Sequence, residues 1–363
     1  MNREKYFDHA ATTPLNLHVR EAMLPWLGDK WGNPSSIHCC GREAAAAVDT
    51  AREHIARLIE GASPEEIIFV SGATEAANAV LRSYDSVAAS PFEHPAIRTL
   101  TIEKGGTIWP NKGYDLQPLS NSVILSAVMD INNETGAAIH LPNEPVICAQ
   151  CLECLVDATQ SLGKYLIRDR GWKYIIGSAH KLGGPMGIGM LYAKNGDFPK
   201  TLQRGGEQEH GYRAGTLNLP AIVGFGEAAR LAYEERESRA HRSAHLRQIF
   251  LEEMAAVSDW HTNDHPTGFT SDYIVSINFK GIEGEALLIE ADAAGFAISA
   301  RSACSSHAHA PSHVLMALDP KAVLLGGTIR VSFSPDNTPE STQELAKVLI
   351  GAVERLRQNA SLN

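Results

Sequence analysis

The sequence has no long apolar segment, no excess of positive charge and no internal repeat. No apolar run approaches the ~20 residues that a membrane-spanning helix needs, and no signal-peptide pattern opens the chain. The net charge of −10 at pH 7 argues against a protein that binds nucleic acid through a basic surface. The 363 residues are enough to form a large hydrophobic core. A content of 44% hydrophobic and 20% charged residues is ordinary for a soluble protein. We therefore expect a cytoplasmic protein with no membrane contact and no direct nucleic-acid binding.

Strand and helix patterns alternate along the first part of the chain. Apolar segments at residues 67–70, 123–129, 155–157 and 174–177 indicate buried strands, and residues 44–59 have a helical pattern. This order predicts a largely parallel sheet wrapped by helices. A helical stretch from residue 220 to about residue 256 then leads to a smaller region. That region has strand patterns at 273–279 and 328–334 and helical patterns at 284–294 and 339–357.

The segment SAHKLGGP at residues 178–185 carries a lysine between two apolar strands. Most lysines are solvated surface residues, but Lys181 follows one strand directly and precedes another at residues 188–193. Burial of a lysine lowers its pKa and yields a neutral amine that attacks a carbonyl or forms an imine. Imine chemistry beside phosphate-binding residues predicts pyridoxal phosphate as the cofactor.

This cofactor requires an acid, a phosphate site and a flat group, and the sequence offers one of each. Asp157 ends an apolar strand, where it serves either as the partner of the pyridine nitrogen or as a helix N-cap. The strand at 67–70 runs into SGATEAAN at 71–78, where a helix N-terminus favours phosphate. It is not a P-loop, because no Gly-Lys-Ser/Thr follows. His94 is the candidate for stacking on the ring, although a lone histidine in a turn is usually structural.

The chain resembles the cysteine desulfurases of the NifS/IscS type, in the class V group of fold-type I pyridoxal phosphate enzymes. The resemblance extends over nearly the whole length. It rests on YFDHAATTP at 6–14, GNPSSIH at 32–38, SGATEAAN at 71–78, NNETG at 132–136, VDATQS at 156–161, SAHKLGGPMGIG at 178–189, RAGT at 213–216 and SACSS at 302–306.

The resemblance implies roles for individual residues. Lys181 is the Schiff-base lysine, Asp157 pairs with the pyridine nitrogen, and His94 stacks on the ring and assists protonation. Asn133 and Gln160 flank the phenolic oxygen of the cofactor, and Asn133 also contacts substrate. The phosphate is bound by Thr74, Ser178 and His180, and Ala73 is a further cofactor-binding residue. In the family, Thr216 reaches the phosphate of the partner subunit, which implies a homodimer.

The resemblance also implies an α/β fold with a mainly parallel seven-stranded sheet wrapped by helices. Residues 15–245 would form a large pyridoxal phosphate-binding domain. Residues 1–14 and 246–363 would form a smaller α+β domain that carries the loop of the catalytic cysteine.

Cys304 distinguishes a desulfurase from an ordinary aminotransferase. It lies in RSACSSHAHAP at 301–311, where small residues and a proline indicate a loop. A cysteine chosen at random is usually a buried apolar residue, but Arg301 and His307 beside an exposed thiol favour the reactive thiolate. Arg330 is expected to bind the substrate carboxylate through a two-pronged contact, with a strand ion pair as the alternative.

These residues predict a pyridoxal phosphate-dependent cysteine desulfurase. It converts L-cysteine to L-alanine and passes sulfur to Cys304 as a persulfide, and then to an acceptor. Iron–sulfur cluster assembly, tRNA thiolation and DNA sulfur modification all fit, and the acceptor protein is not identified. A cystine or selenocysteine lyase with the same cofactor site is one alternative. A non-catalytic metal-binding or scaffold protein is another.

Two further groups of residues invite a metal interpretation. Cys148, Cys151 and Cys154 have successive CxxC spacings. We expect this segment to be a helix that runs into the strand ending at Asp157, with Cys154 in or near the strand, so that metal binding is the weaker hypothesis. His307, His309 and His313 follow Cys304 and are a similarly weak metal candidate.

Overall fold

The computed structural model describes residues 2–119, 122–139, 151–200, 203–300, 312–319 and 326–361. Cys148, Cys304, His307 and His309 lie outside these ranges. No helix within them is both long and apolar enough to cross a membrane.

The elements of the described ranges follow the predicted order. The helices are α1 (Leu17–Leu27), α2 (Cys39–Ala56), α3 (Ala73–Arg82), α4 (Pro95–Glu103), α5 (Leu219–Glu234), α6 (Arg236–Met254), α7 (Gly284–Ala293), α8 (His313–Leu318) and α9 (Pro339–Ser361). The strands are β1 (Ile67–Val70), β2 (Val87–Ala89), β3 (Thr107–Ile108), β4 (Asn111–Lys112), β5 (Asp115–Leu116), β6 (Val123–Met129), β7 (Cys151–Asp157), β8 (Tyr174–Ser178), β9 (Gly189–Ala193), β10 (Trp260–Thr262), β11 (Ile274–Lys280) and β12 (Gly326–Ser332).

The main sheet has seven strands in the order β1-β9-β8-β7-β6-β2-β3. Strand β9 runs antiparallel to both of its neighbours, β1 and β8. The pairs β8·β7, β7·β6, β6·β2 and β2·β3 are all parallel. The prediction of a mainly parallel seven-stranded sheet is confirmed.

Both faces of this sheet are buried, which explains why its strands appear as continuous apolar runs. Side chains alternate between the faces along each strand. In β1, Ile67 and Phe69 join a core formed with α2 and α5. Ile68 and Val70 join a separate core formed with α3 and α4. The sheet is therefore a middle layer between two layers of helices.

A second sheet has the antiparallel order β10-β11-β12. Its apolar residues pack with α6, α7 and α9 in a separate core that also contains Phe7. The N-terminal part of the chain lies against this region. Tyr6 forms a backbone β-bridge with Ala297, and Asp8 forms one with Ser332. The division into domains at residues 15–245 remains a prediction.

Two local predictions were wrong. The helical stretch from 220 to 256 is two helices, α5 and α6, separated at Glu235, where ψ is 5° and the helix is interrupted. The segment from Cys151 is strand β7 from its first residue rather than a helix. Parallel pairing with β6 fixes this strand, as Val123 is opposite Cys151 and Ser126 is opposite Cys154. The shared helical face required by the CxxC hypothesis does not form there, and Cys154 is instead a buried core residue.

A buried ion pair fixes the turn after residue 206 against the edge of the main sheet. Arg52 Nη1 and Nη2 donate to the Glu209 carboxylate at 3.0 and 2.9 Å, and the Phe69 N–H donates to the same carboxylate at 2.7 Å. Glu209 and His210 have left-handed backbones, with φ of 49° and 56°. Such conformations are strained and persist where surrounding contacts determine them.

We predict that Glu209→Gln destabilises the protein by about 3–5 kcal/mol, because it leaves the Arg52 guanidinium buried without its counter-charge. Urea denaturation at pH 7 measures the change. Glu43→Gln is the matched control, because the Lys30–Glu43 pair is exposed and is expected to contribute less than about 1 kcal/mol. Equal effects of the two substitutions would contradict the prediction.

Candidate active site

A cavity of about 220 Å³ lies at the carboxyl ends of the parallel strands. Ligands of open α/β sheets bind at this edge because the turns after the strands converge there. Its lining includes the predicted residues Ala73, Thr74, His94, Asn133, Asp157, Gln160, Ser178, His180, Lys181 and Arg330. Thr216 does not line it and is exposed on its own chain.

Lys181 ends a short 3₁₀ turn, Ala179–Lys181, that follows β8 directly. Its ammonium donates to the carbonyl oxygens of Ala10 and Ala11 at 2.6 and 2.7 Å. Thr13 fixes the same turn, since its Oγ1 donates to the His180 carbonyl at 2.8 Å and accepts from the Gly183 N–H at 2.8 Å. The segment before α1 therefore sets the position of the lysine nitrogen.

Asp157 is the last residue of β7 and is buried in the cavity wall. One carboxylate oxygen accepts the Thr159 N–H at 2.9 Å. This local bond orients the carboxylate at the start of the next turn. No helix begins between Asp157 and β8 in this described part of the chain, so the N-cap alternative was wrong, and the carboxylate faces the cavity.

The N-terminus of α3 adjoins the cavity through Ala73 and Thr74. Gly72 precedes the helix and provides no side-chain cap. Ser178 Oγ accepts the Ala73 N–H at 2.9 Å, which ties the end of β8 to this helix. Free N–H groups and the helix dipole make such a terminus suitable for an anion such as phosphate.

Two histidines of the site are held neutral near pH 7 by burial. Burial lowers the pKa of His180 to about 4, and the charge of Lys181 adds to the effect. Its Nδ1 lies 3.0 Å from Thr12 Oγ1. Burial also lowers the pKa of His94, an effect opposed by Asp157. Nδ1 of His94 accepts the Ala96 N–H at 3.2 Å, so in the neutral ring the proton is assigned to Nε2.

Arg330 on β12 extends from the second sheet into the cavity and is 2% exposed. Nη2 donates to the Asp8 carboxylate at 2.7 Å, and Nη1 donates to the Asn133 carbonyl at 2.8 Å. Its Nε has no hydrogen-bond partner among the described residues. The ion pair expected as the alternative is therefore present, and the same side chain lines the cavity.

The residues fit pyridoxal phosphate. A lysine amine, a buried carboxylate and a helix N-terminus border one cavity, and a buried arginine reaches it from the second sheet. These groups match the donor and acceptor requirements of an aldehyde, a pyridinium nitrogen, a phosphate and a substrate carboxylate.

Sequence reasoning missed the residues that hold this site in place. The carbonyls of Ala10 and Ala11 orient Lys181, and Asp8 orients Arg330. The sequence motif YFDHAATTP indicated that this segment matters, but it did not indicate which atoms act. An alanine side chain gives no sign that its backbone carbonyl binds a lysine. Glu93 was also missed.

Glu93 is a fully buried carboxyl group next to His94. Oε1 accepts the Ser90 hydroxyl at 2.5 Å and the Met129 N–H at 2.7 Å. Oε2 has no partner within the described part of the chain. Burial raises the pKa of Glu93 from the ordinary 4.5 to about 8, with Asp157 adding to the rise. The carboxyl is therefore protonated at neutral pH.

We predict that Glu93→Gln makes the folding stability less sensitive to pH. Between the pKa of 4.5 in the unfolded chain and about 8 in the folded protein, the folded state keeps a proton that the unfolded chain releases. Wild-type stability therefore declines across this window as the pH rises, and the glutamine variant lacks this loss. Urea denaturation at several pH values measures the free energy of unfolding. Relative to wild type, this free energy should rise with pH for Glu93→Gln, whereas it should not for Glu53→Gln on the surface. A constant difference between Glu93→Gln and wild type would contradict the prediction.

Comparison with known proteins identifies the family of the chain. The profile of the family "Aminotransferase class-V" matches residues 5–345. The "Cysteine desulfurase IscS" of Dictyoglomus turgidum is 36% identical, with 98% of this chain and 96% of that protein aligned. A solved "NIFS-LIKE PROTEIN" superposes with a TM-score of 0.87 at 28% identity, covering 97% of this chain and 100% of that one. The structure "SspA in complex with cysteine" superposes with a TM-score of 0.74 at 28% identity, covering 92% of this chain and 100% of that one.

The matched range includes the strands of both sheets and the residues that line the cavity. The chain therefore belongs to the aminotransferase class-V family, among the cysteine desulfurases of the NifS/IscS type.

Proposed function

We propose that the protein is a pyridoxal phosphate-dependent cysteine desulfurase that converts L-cysteine to L-alanine and retains the sulfur on Cys304 as a persulfide. The observation that carries this proposal is the convergence of Lys181, Asp157 and Arg330 on one cavity. The relatives named cysteine desulfurase and the SspA complex with cysteine support the choice of substrate.

The cofactor would be held through its aldehyde by Lys181 and through its ring nitrogen by Asp157. Asn133 and Gln160 would lie near its phenolic oxygen, with His94 on the ring. Its phosphate would bind at Ala73, Thr74, Ser178 and His180. When bound, pyridoxal phosphate supplies an electron sink that makes the α-carbon of an amino acid acidic.

The protein residues then bind substrate and move protons. Arg330 receives the carboxylate of L-cysteine, with its guanidinium oriented by Asp8. The amine of Lys181 removes the α-proton as a general base. Neutral His94 is positioned to take part in the later proton transfers. Arg330, Lys181 and His94 all line the cavity.

The described chain before Cys304 is anchored beside Arg330. Backbone hydrogen bonds of 2.5 and 3.2 Å join Ser299 and Arg330. Downstream of Cys304, the Ser312 hydroxyl donates to Glu134 at 2.5 Å, and His313 Nε2 lies 2.9 Å from the Glu93 carbonyl oxygen. The segment that carries the cysteine therefore leaves and re-enters the described structure beside the site.

The sulfur step is balanced without an external oxidant. The Cys304 thiolate forms a bond to the substrate sulfur, and the bond between that sulfur and Cβ breaks. The electron pair stays with the carbon skeleton, which takes up protons and leaves as L-alanine. The persulfide then passes to a thiol or to an acceptor protein, for example in iron–sulfur cluster assembly, tRNA thiolation or DNA sulfur modification.

We predict that Cys304→Ser abolishes persulfide formation and leaves the cofactor site intact. The purified variant should be yellow, and its absorbance should still respond to L-cysteine, because cofactor and substrate binding use other residues. Mass spectrometry after incubation with L-cysteine measures the persulfide on wild type, and Lys181→Ala is the control that loses the cofactor–lysine link.

Sulfide or selenide release that survives Cys304→Ser would support a cystine or selenocysteine lyase instead. A colourless wild-type protein that takes up no cofactor would overturn the pyridoxal phosphate assignment altogether.

The functional unit in this proposal is a homodimer. Thr216 is exposed and would reach the phosphate of the partner's site. A group of large apolar side chains is exposed on α1 and the segment after it, including Trp31 at 71% and Ile37 at 91%. Large apolar side chains exposed along one segment are typical of an interface between subunits.

We predict that Ile37→Glu weakens the dimer, because it places a charge on this apolar surface. Light scattering should give about twice the monomer mass for wild type and a lower mass for the variant at equal concentration. Ile289→Glu is the matched control, because Ile289 is 69% exposed on α7. A wild-type protein that is monomeric at micromolar concentration would refute the dimer.

A further inference from the structure

Lys164 is a lysine beside the cavity to which the proposed chemistry gives no role. Its Nζ donates to Gln160 Oε1 at 3.2 Å and lies 5.4 Å from the centre of the Tyr273 ring. The side chain borders a second cavity of about 130 Å³, whose lining it shares with Lys181. The residue is half-buried, and removing an ammonium from water is unfavourable in the absence of compensating contacts.

A short path of hydrogen bonds joins the two lysines. Lys164 bonds the amide oxygen of Gln160, and the amide nitrogen of Gln160 donates to the Ala10 carbonyl at 2.9 Å. The same carbonyl accepts the Lys181 ammonium at 2.6 Å. Lys164 therefore determines which end of the Gln160 amide faces the N-terminal segment, since its ammonium bonds only an acceptor.

The charges around Lys164 are mostly positive. Burial lowers the pKa of Lys164 to about 7, and the charges of Lys181 and Arg330 add to the effect. Burial keeps the nearby His9 neutral. Asp8 is bound to Arg330. The other charged residues that line the second cavity are paired with one another, as Arg3 with Asp336 and Arg239 with Glu235.

Repulsion between two cations acts equally on both. If the charge of Lys181 disfavours protonation of Lys164, the charge of Lys164 disfavours protonation of the Lys181 nitrogen to the same extent. This effect is present below a pH of about 7, where Lys164 carries its proton, and is lost above it. An amine that acts as base or nucleophile near neutral pH benefits from such a shift.

We propose that Lys164 is a positioning residue for the chemistry of Lys181: it orients the Gln160 amide, and its charge makes the Lys181 nitrogen easier to deprotonate. This inference rests on the proposed function, because it concerns the lysine that would carry the cofactor. It adds a residue that touches neither cofactor nor substrate and acts through Gln160 and through space.

The test is a pH titration of the visible absorbance of the purified holoenzyme, without substrate. Lys164→Met removes the charge and the hydrogen bond, Lys164→Gln removes the charge and keeps a donor for Gln160, and Lys164→Arg keeps both. We expect the pKa of the absorbance change to rise by about half a unit to one unit in the methionine and glutamine variants. It should stay near the wild-type value in the arginine variant and in Lys112→Met, an exposed control.

The proposal would be overturned if the pKa of the absorbance change in both Lys164→Met and Lys164→Gln equalled that of the wild type. A shift in Lys164→Met that Lys164→Gln restores would also overturn it, since the effect would then come from the hydrogen bond alone. If Lys164→Met does not fold, the glutamine and arginine variants still decide between these outcomes. A protein with no visible band in any form would instead refute the proposed function.

Discussion

The site depends on the contacts of one short segment, from Asp8 to Thr13, between the main sheet and the second sheet. On one side, the Asp8 backbone forms a β-bridge with Ser332, and its carboxylate accepts a hydrogen bond from the Arg330 guanidinium. The Ala10 N–H donates to Ser332 Oγ at 2.9 Å. On the other side, carbonyls of this segment accept the Lys181 ammonium and the Gln160 amide. The lysine and the arginine that the proposed reaction uses therefore have their positions set by the same few residues. A displacement of this segment would move both groups at once.

Electrostatics in the cavity follows from burial. The neutral histidines, the protonated Glu93 and the depressed pKa of Lys164 all result first from removal of a charged form from water. The described residues that line the cavity include one acid, Asp157, and two strong bases, Lys181 and Arg330. A site arranged in this way is suited to a zwitterionic cofactor and an amino-acid substrate. It also gives proton transfers a low-polarity environment, in which small changes of charge have large effects.

Local sequence patterns predicted the elements well where burial alone decides them. The apolar runs at 67–70 and 123–129 are strands with those bounds, because a strand in a sheet covered by helices on both faces needs apolar residues on both of its sides. The pattern failed at residues 151–154, which show a helical spacing of cysteines but are held in β7 by pairing with β6. It also failed to separate α5 from α6, because a single interruption at Glu235 leaves the polar and apolar periodicity nearly continuous.

The sequence by itself determined the chemical groups of the site and their order along the chain: a lysine after a buried strand, an aspartate at the end of another, and a small-residue turn at a helix start. These are properties of side-chain type and local spacing, which a sequence carries directly. Only the tertiary structure decided that the Ala10 and Ala11 carbonyls hold Lys181, that Asp8 holds Arg330, and that Lys164 is linked to Lys181 through Gln160. The contacts of Lys181 and Arg330 join residues more than a hundred positions apart, and those of Lys181 use backbone carbonyls that every residue possesses. Pairing of the strands and packing of the N-terminal segment between the sheets select them, and no local pattern records that selection.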